Sequence, residues 1–377
     1  MKRCWLSLFL AAAAWAQDLP HGQIIDSVKC AADQTQSYAL YLPSNYTPDR
    51  TWSLIIAFDP GARGRTPVER FQAAAEKYGY IVAGSNNAKN GPPNEALMAA
   101  QQMTADIMNR FKVNEKRVYT AGLSGGARVA MKIALDTNAI AGVIASSAGF
   151  PPGERQNSLS FPLFGTAGSE DFNYLEMKQL DDTLSTPHHI AIFEGGHTWL
   201  PNDLALQAVE WMEIQAIKSG RRDRDDALLQ KLLAVRASYA EGQKTDLLAW
   251  QSLNDLASDF QGLTDVTKYS TRADALRKQK NVIDALNNDR KELDREVQLD
   301  MELADLQEGL RGEATERTAS LKELSERLPK LSAQANASQD SPDRRMARRL
   351  LAGVFADARG FDDPDYKKLL DGLKQPN

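Results

Sequence analysis

The tightest constraint in this chain is a nine-residue stretch, Val118-Tyr119-Thr120-Ala121-Gly122-Leu123-Ser124-Gly125-Gly126, followed at once by Ala127-Arg128-Val129-Ala130-Met131. β-Branched and aromatic residues favour a strand before the glycines, and the alanine-rich aliphatic run favours a helix after them. A serine held between glycines as G-x-S-x-G at such a junction has the pattern of a nucleophile elbow. Side chains at Gly122 or Gly126 would collide with the neighbouring strand or helix, and the sharp turn holds the serine in a strained conformation. The helix that follows aims its first N–H groups at the place where negative charge would develop.

The chain around this turn has 377 residues, too many for one ordinary core. We expect a leader over residues 1–16, an α/β domain over 17–220 and an all-α domain over 221–377. Charged residues make up 25% of the chain and the net charge is only −5, so nothing argues for nucleic acid or an anionic membrane as partner. Met1-Lys2-Arg3, an apolar run from Trp5 to Trp15 and the small-x-small site Ala14-Trp15-Ala16 predict a bacterial export signal. That run is too short to span a bilayer, and no later segment is long and apolar enough, so a periplasmic or secreted protein without a membrane span is expected. Cys4 would leave with the signal. Cys30 then remains alone, and no internal disulfide can form.

Hydrophobic patterning outlines the α/β domain. Residues 37–43 alternate like an edge strand and stop at Pro43, whereas 53–58 are continuously apolar, as in a strand covered on both faces. Further strands are expected at 80–84, 118–123, 141–147, 161–166 and 188–193. Helices are expected at 67–78, 94–111, after the elbow, and at 203–217. Strands alternating with helices imply a mostly parallel sheet with helices on both faces, whose active groups gather beyond the carboxyl ends of the strands.

A serine hydroxyl needs a base, usually a histidine oriented by a buried carboxylate. Of the four histidines, His21 lies near the expected processing site, and His188 and His189 open a strand and read as structural. His197 sits in Gly195-Gly196-His197-Thr198-Trp199, a loop just past a strand end. For the acid, Glu170 and Asp171 compete in Gly168-Ser169-Glu170-Asp171-Phe172-Asn173-Tyr174. Asp171 is favoured because the shorter carboxylate suits a fixed turn before a helix; the plainer reading of this aspartate is a helix N-cap. The order Ser124, Asp171, His197 is that of an α/β-hydrolase. An oxyanion hole would use the N–H of Gly125 and, since Pro60 has none, that of Gly61 or Ala62.

Residues from about 38 to 220 resemble the α/β-hydrolase esterases of the polyhydroxybutyrate-depolymerase, feruloyl-esterase and dienelactone-hydrolase kind. The matching pieces are Tyr41-Leu42-Pro43 with Tyr46, the strand into Asp59-Pro60-Gly61, the run from Asn114 into the elbow, Asp171-Phe172-Asn173-Tyr174 and the His197 loop. The resemblance implies a serine esterase with Ser124 as nucleophile, Asp171 as orienting acid and His197 as base, acting on a small-molecule or polymer ester. A serine peptidase would share fold and triad. One departure stands out: the family usually has His-Gly where this chain has Asp59-Pro60. A carboxylate there would oppose an oxyanion unless Asp59 turns away or Arg63 neutralises it.

The composition shifts at Lys218-Ser219-Gly220-Arg221-Arg222-Asp223-Arg224-Asp225, read as a solvated linker. Amphipathic helices are expected beyond it at 227–239, 246–260, 282–310, 344–355 and 365–373, with another carrying Leu321, Leu324 and Leu328 that should stop or kink at Pro329. A helix-pair repeat of the tetratricopeptide sort is an alternative arrangement. This half has no Cys/His cluster, phosphate loop or G-x-G-x-x-G, so neither cofactor nor metal is expected. Its apolar faces could serve a protein partner, self-association or the enzyme's own lid, and an interaction protein with an inactive hydrolase domain is the competing reading.

Overall fold

A computed structural model describes residues 19–373, and the expected leader lies outside them. One sheet contains eight strands: β1 (Ile24–Lys29), β2 (Ser37–Tyr41), β3 (Trp52–Phe58), β4 (Tyr80–Ser85), β5 (Val113–Leu123), β6 (Gly142–Ser146), β7 (Leu163–Gly168) and β8 (His188–Phe193). The helices of this half are α1 (Arg65–Tyr78), α2 (Pro93–Arg110), α3 (Gly125–Asp136), α4 (Tyr174–Thr183) and α5 (Asn202–Lys218). Strand order across the sheet is β1-β2-β4-β3-β5-β6-β7-β8. β2 runs antiparallel to both of its neighbours, and the pairings from β4 to β8 are parallel.

The apolar strands earn their central place by being covered twice. All of β3 is buried; Leu54, Ile56 and Phe58 face the cluster that holds α2 and α3, while Ile55 and Ala57 face the cluster that holds α1 and α5. Strand order reverses at β3 and β5, and Phe58 pairs with Gly122 across that switch. Ligand crevices of open α/β sheets form beyond strand ends at this kind of reversal.

Two expectations about the sheet change. Residues 37–41 are not an edge: every position of β2 is buried, because β1 covers it. β1 was not foreseen, since its Asp26 and Ser27 are exposed and a register shift between Ile25 and Val28 breaks its alternation.

The second half contains α6 (Asp226–Glu241), α7 (Asp246–Phe260), α8 (Thr267–Arg277), α9 (Lys280–Gly309), α10 (Ala314–Ala335), α11 (Pro342–Asp357) and α12 (Pro364–Asp371). Asp225, Thr245 and Ser341 cap α6, α7 and α11 by accepting N–H bonds from Leu228, Leu248 and Arg344. α8 was missed because its polar sequence buries only Tyr269, Ala273 and Leu276. The two halves share α5: its Ile214 and Ile217 enter the core of α6 and α7, and Trp211 Nε1 donates to Asp259 at 2.7 Å. The charged run after α5 is not simply solvated either. Arg222 pairs with Glu213, a fully buried carboxylate that Arg117 also binds.

α10 does not stop at Pro329 but continues to Ala335. Leu324 and Leu328 on one side and Ser332 and Ala335 on the other are all buried, so packing holds the helix together where its own ladder lacks an N–H. Pro329 itself is exposed. Pro329→Ala should therefore restore a hydrogen bond without disturbing a contact. It should raise the unfolding free energy by about 1–3 kcal/mol in a denaturant titration, the interior-proline penalty less the entropy proline removes from the unfolded chain.

Candidate active site

Ser124 stands between β5 and α3 with φ 54° and ψ −122°, a backbone conformation that costs a non-glycine residue about 1–3 kcal/mol. The surrounding backbone leaves no alternative. A methyl group on Gly122 would run into the carbonyl of Gly126, and one on Gly126 would run into the carbonyl of Phe58 at the end of β3. The Ser124 N–H donates to Ser146 O at 2.8 Å, which fastens the turn to β6. In the first turn of α3, the N–H of Gly125 has no intrahelical acceptor and faces outward from the helix end.

His197 lies beyond β8, and Asp171 lies beyond β7. The structure joins them: His197 Nδ1 is 2.8 Å from Asp171 Oδ1, with the carboxylate fully buried and the ring half-buried. A carboxylate can only accept, so Nδ1 carries the proton and Nε2 is left as the acceptor. Phe172 stacks on the imidazole at 4.1 Å between ring centroids and fixes its plane. Glu170, the competing acid, points elsewhere. It binds Arg344 at 2.9 Å and Arg348 at 3.2 Å, both on α11. Asp171 is also not the N-cap of α4, a position held by Asn173.

Asn173 is the residue that sequence reasoning passed over. Its N–H donates to Asp171 Oδ1 at 2.9 Å, and its side-chain amide donates to Ser147 O at 2.5 Å. The Asp-x-Asn spacing was the available signal. Ser147, another residue with positive φ, directs its hydroxyl at Thr198 O, 3.5 Å away and next to His197. Ser146 and Ser147 thus link the Ser124 turn to the acid loop and, by the longer 3.5 Å contact, to the histidine loop. Among the described residues, neither the Ser124 hydroxyl nor His197 Nε2 makes a hydrogen bond, to each other or to any other group. Asp171 Oδ2 is buried without a partner among the described residues, so the carboxylate depends on the two N–H groups at Oδ1.

The loop after β3 departs from expectation. Asp59 is fully buried and turned into its own loop. Its carboxylate accepts from Arg63 Nε at 2.8 Å, the Gly61 N–H at 2.8 Å and Trp199 Nε1 at 2.8 Å. Burial alone would push this carboxyl up, but the hydrogen bonds from Arg63, Trp199 and Gly61, with the Arg63 charge, hold it below the usual range. Asp59 is therefore a neutralised hub tying the β3 loop to the histidine loop through Trp199. The same geometry corrects the oxyanion-hole expectation. The Gly61 N–H is taken by Asp59 Oδ1, and the Ala62 N–H is taken by Asp59 O at 3.0 Å, so neither expected donor is open.

The remaining candidates are structural. His188 bonds Thr186 O and Asp181, and His189 stacks obliquely on Phe164 near Asp255. The Cys30 thiol is buried, and burial together with the Asp106 charge pushes it up to about 11, too high for a thiolate nucleophile at neutral pH.

A reversing parallel sheet of this strand order, with a serine elbow after β5, an acid after β7 and a histidine after β8, defines the α/β-hydrolase fold. No family model matches the chain, and no curated protein matches it in sequence. Solved structures similar to it include a thermostable esterase with 19% identity over 51% of this chain and 62% of that one, at a TM-score of 0.38. A feruloyl esterase module from Clostridium thermocellum has 12% identity over 50% and 85%, at 0.40. A puromycin-hydrolyzing peptidase from Mycobacterium tuberculosis has 11% identity over 48% and 37%, at 0.39. Strand order and the elbow, rather than these distant likenesses, define the fold.

The depressed Asp59 carboxyl makes a pH-dependent contribution to stability. For a lowered carboxyl, that contribution is present above the unfolded-state pKa of about 4 and is lost as pH falls through the folded value. Asp59→Asn should cost about 1–3 kcal/mol in urea unfolding at pH 7, and the gap to the unmodified protein should narrow below roughly pH 4.

Proposed function

We propose that this protein is a serine hydrolase that cleaves carboxylic esters through an acyl-enzyme on Ser124. The observation that carries the reading is the 2.8 Å contact between His197 Nδ1 and the buried Asp171 carboxylate, on loops that leave the carboxyl ends of β8 and β7 as the Ser124 turn leaves that of β5. Ser124 Oγ attacks the ester carbonyl carbon while His197 Nε2 takes its proton. Asp171 keeps the proton on Nδ1 and stabilises the imidazolium. The tetrahedral oxyanion is met by the Gly125 N–H at the start of α3. When the intermediate collapses, the carbon–oxygen bond to the alcohol breaks and the leaving alkoxide takes the proton from His197. Water, deprotonated by the same nitrogen, then releases the acid and restores Ser124.

Export belongs to the same proposal. It rests on the basic start, apolar run and Ala14-Trp15-Ala16 site, residues outside those described. Among the described residues, no helix is long and apolar enough to cross a membrane. A mature chain beginning at Gln17 in a periplasmic or culture fraction supports export. An uncleaved start at Met1 counts against it.

The alternative, an inactive hydrolase domain working through its helical half, draws support from the engaged N–H groups of Gly61 and Ala62. Intact mass after treatment with a fluorophosphonate separates the two readings. The esterase reading expects one adduct on the unmodified protein and none on Ser124→Ala. It also expects turnover of short acyl esters to fall at least about 10⁴-fold in the variant, with little cleavage of matched amides. An unmodified protein that gains no adduct favours the interaction module, and amides cleaved as fast as esters favour a peptidase.

A further inference from the structure

The engaged donors of the β3 loop leave a problem for any hydrolase built on Ser124. One backbone N–H, from Gly125, would face the oxyanion alone, whereas removing a single donor from such a hole costs about 10²–10³ in kcat. The structure offers a replacement in a loop that sequence reasoning did not assign. We infer that the side-chain amide of Asn90 is the second oxyanion-hole donor; this rests on the serine-hydrolase reading and goes beyond it by naming the residue that completes the site.

Three observations converge on Asn90. The first is the loss of the usual source: Pro60 has no N–H, Gly61 donates to Asp59 Oδ1 at 2.8 Å and Ala62 donates to Asp59 O at 3.0 Å. The second is placement. The Asn90 amide lies directly over Gly125, the residue after the nucleophile. A side chain built on Gly125 would overlap Asn90 Oδ1, with its first carbon 2.8 Å from Asn90 Cγ and 3.3 Å from Nδ2. Glycine at 125 is therefore what gives the amide its room. The third is anchoring without engagement. The Asn90 N–H donates to Pro60 O at 2.8 Å, and Gly61 bridges Lys89, so this loop is fastened to the β3 loop. Ser85 Oγ accepts from Ala88 N at 2.9 Å and shapes the turn leading there. The Asn90 side chain is exposed, and among the described residues it has no hydrogen-bond partner.

The amide can present its NH₂ group to a ligand by rotating about its last side-chain bond, since its two ends are nearly equal in shape. An asparagine offers two N–H donors and, unlike Asp59, no charge. Placed beside the Gly125 N–H, it would hold a negative oxygen between a backbone donor and a side-chain donor. The Asp59-Pro60 departure then becomes intelligible: the β3 loop has given its N–H groups to a structural hub, and the β4 loop supplies the donor instead.

The test compares Asn90→Ala and Asn90→Asp in the full chain, with a short-chain p-nitrophenyl ester as substrate. Both variants should lose about 10²–10³ in kcat with KM nearly unchanged, because the bond forms to the transition state rather than the ground state. Their melting temperatures should match the unmodified protein, since the side chain holds nothing together. Asn90→Asp keeps the shape and removes the donor, so an aspartate variant that retains kcat would overturn the inference, as would an alanine variant that does so. An unmodified protein that neither turns over the ester nor gains a fluorophosphonate adduct would instead overturn the serine-hydrolase reading beneath it.

Discussion

The site depends on a backbone contact rather than on any side chain. Gly122, Gly126 and the carbonyl of Phe58 meet so closely that no Cβ fits at either glycine. That packing brings β3, β5 and the start of α3 together, and it leaves Ser124 with a positive φ as the only way through the turn. The strain is offset by what it organises. α3 begins where β5 ends, so its first N–H groups lie at the carboxyl edge of the sheet, beside the strand reversal where such sheets bind ligands.

Around that fixed point the polar groups share one another's bonds. Asp171 is held by Asn173, Asn173 by Ser147, and Ser147 reaches the Thr198 carbonyl in the histidine loop, while Trp199 returns to Asp59 in the β3 loop. The helical half joins the same framework from outside. Arg344 and Arg348 take up Glu170, Arg349 donates to Ser169 O at 2.5 Å, and the Arg349 guanidinium lies 4.3 Å over the Tyr174 ring. α11 therefore grips the acid loop on both sides of Asp171, and Gly353 of this helix faces Phe172, the ring stacked on His197. A network of this kind holds the His197 and Asp171 loops in fixed relation, the support that the proposed reaction would need.

Much of this was legible in the sequence, for physical reasons that differ by element. The elbow could be read because steric demand restricts its glycines to glycine, and β3 because a strand covered on both faces must be apolar throughout. Asp171 could be preferred to Glu170 for its shorter reach before a helix, but the arginines of a distant helix that claim Glu170 appear only in three dimensions. β1 was hidden because an edge strand need bury only part of itself, and α8 because three buried residues suffice to dock it. Pro329 misled because local propensity was outweighed by leucines packed on one side of it and small residues on the other. The engaged N–H groups of Gly61 and Ala62 were beyond reach, since nothing in the order of residues says where the Asp59 carboxylate will turn.

Under the proposed reading, Ser124, His197 and Asp171 act together at the carboxyl edge of the sheet. A crystal structure of the protein after reaction with a phosphonate ester tests it most directly. Phosphorus should be bonded to Ser124 Oγ, with a phosphoryl oxygen within hydrogen-bond reach of the Gly125 N–H and His197 still bonded to Asp171. Phosphorus attached elsewhere, or an imidazole turned away from a modified Ser124, would contradict it.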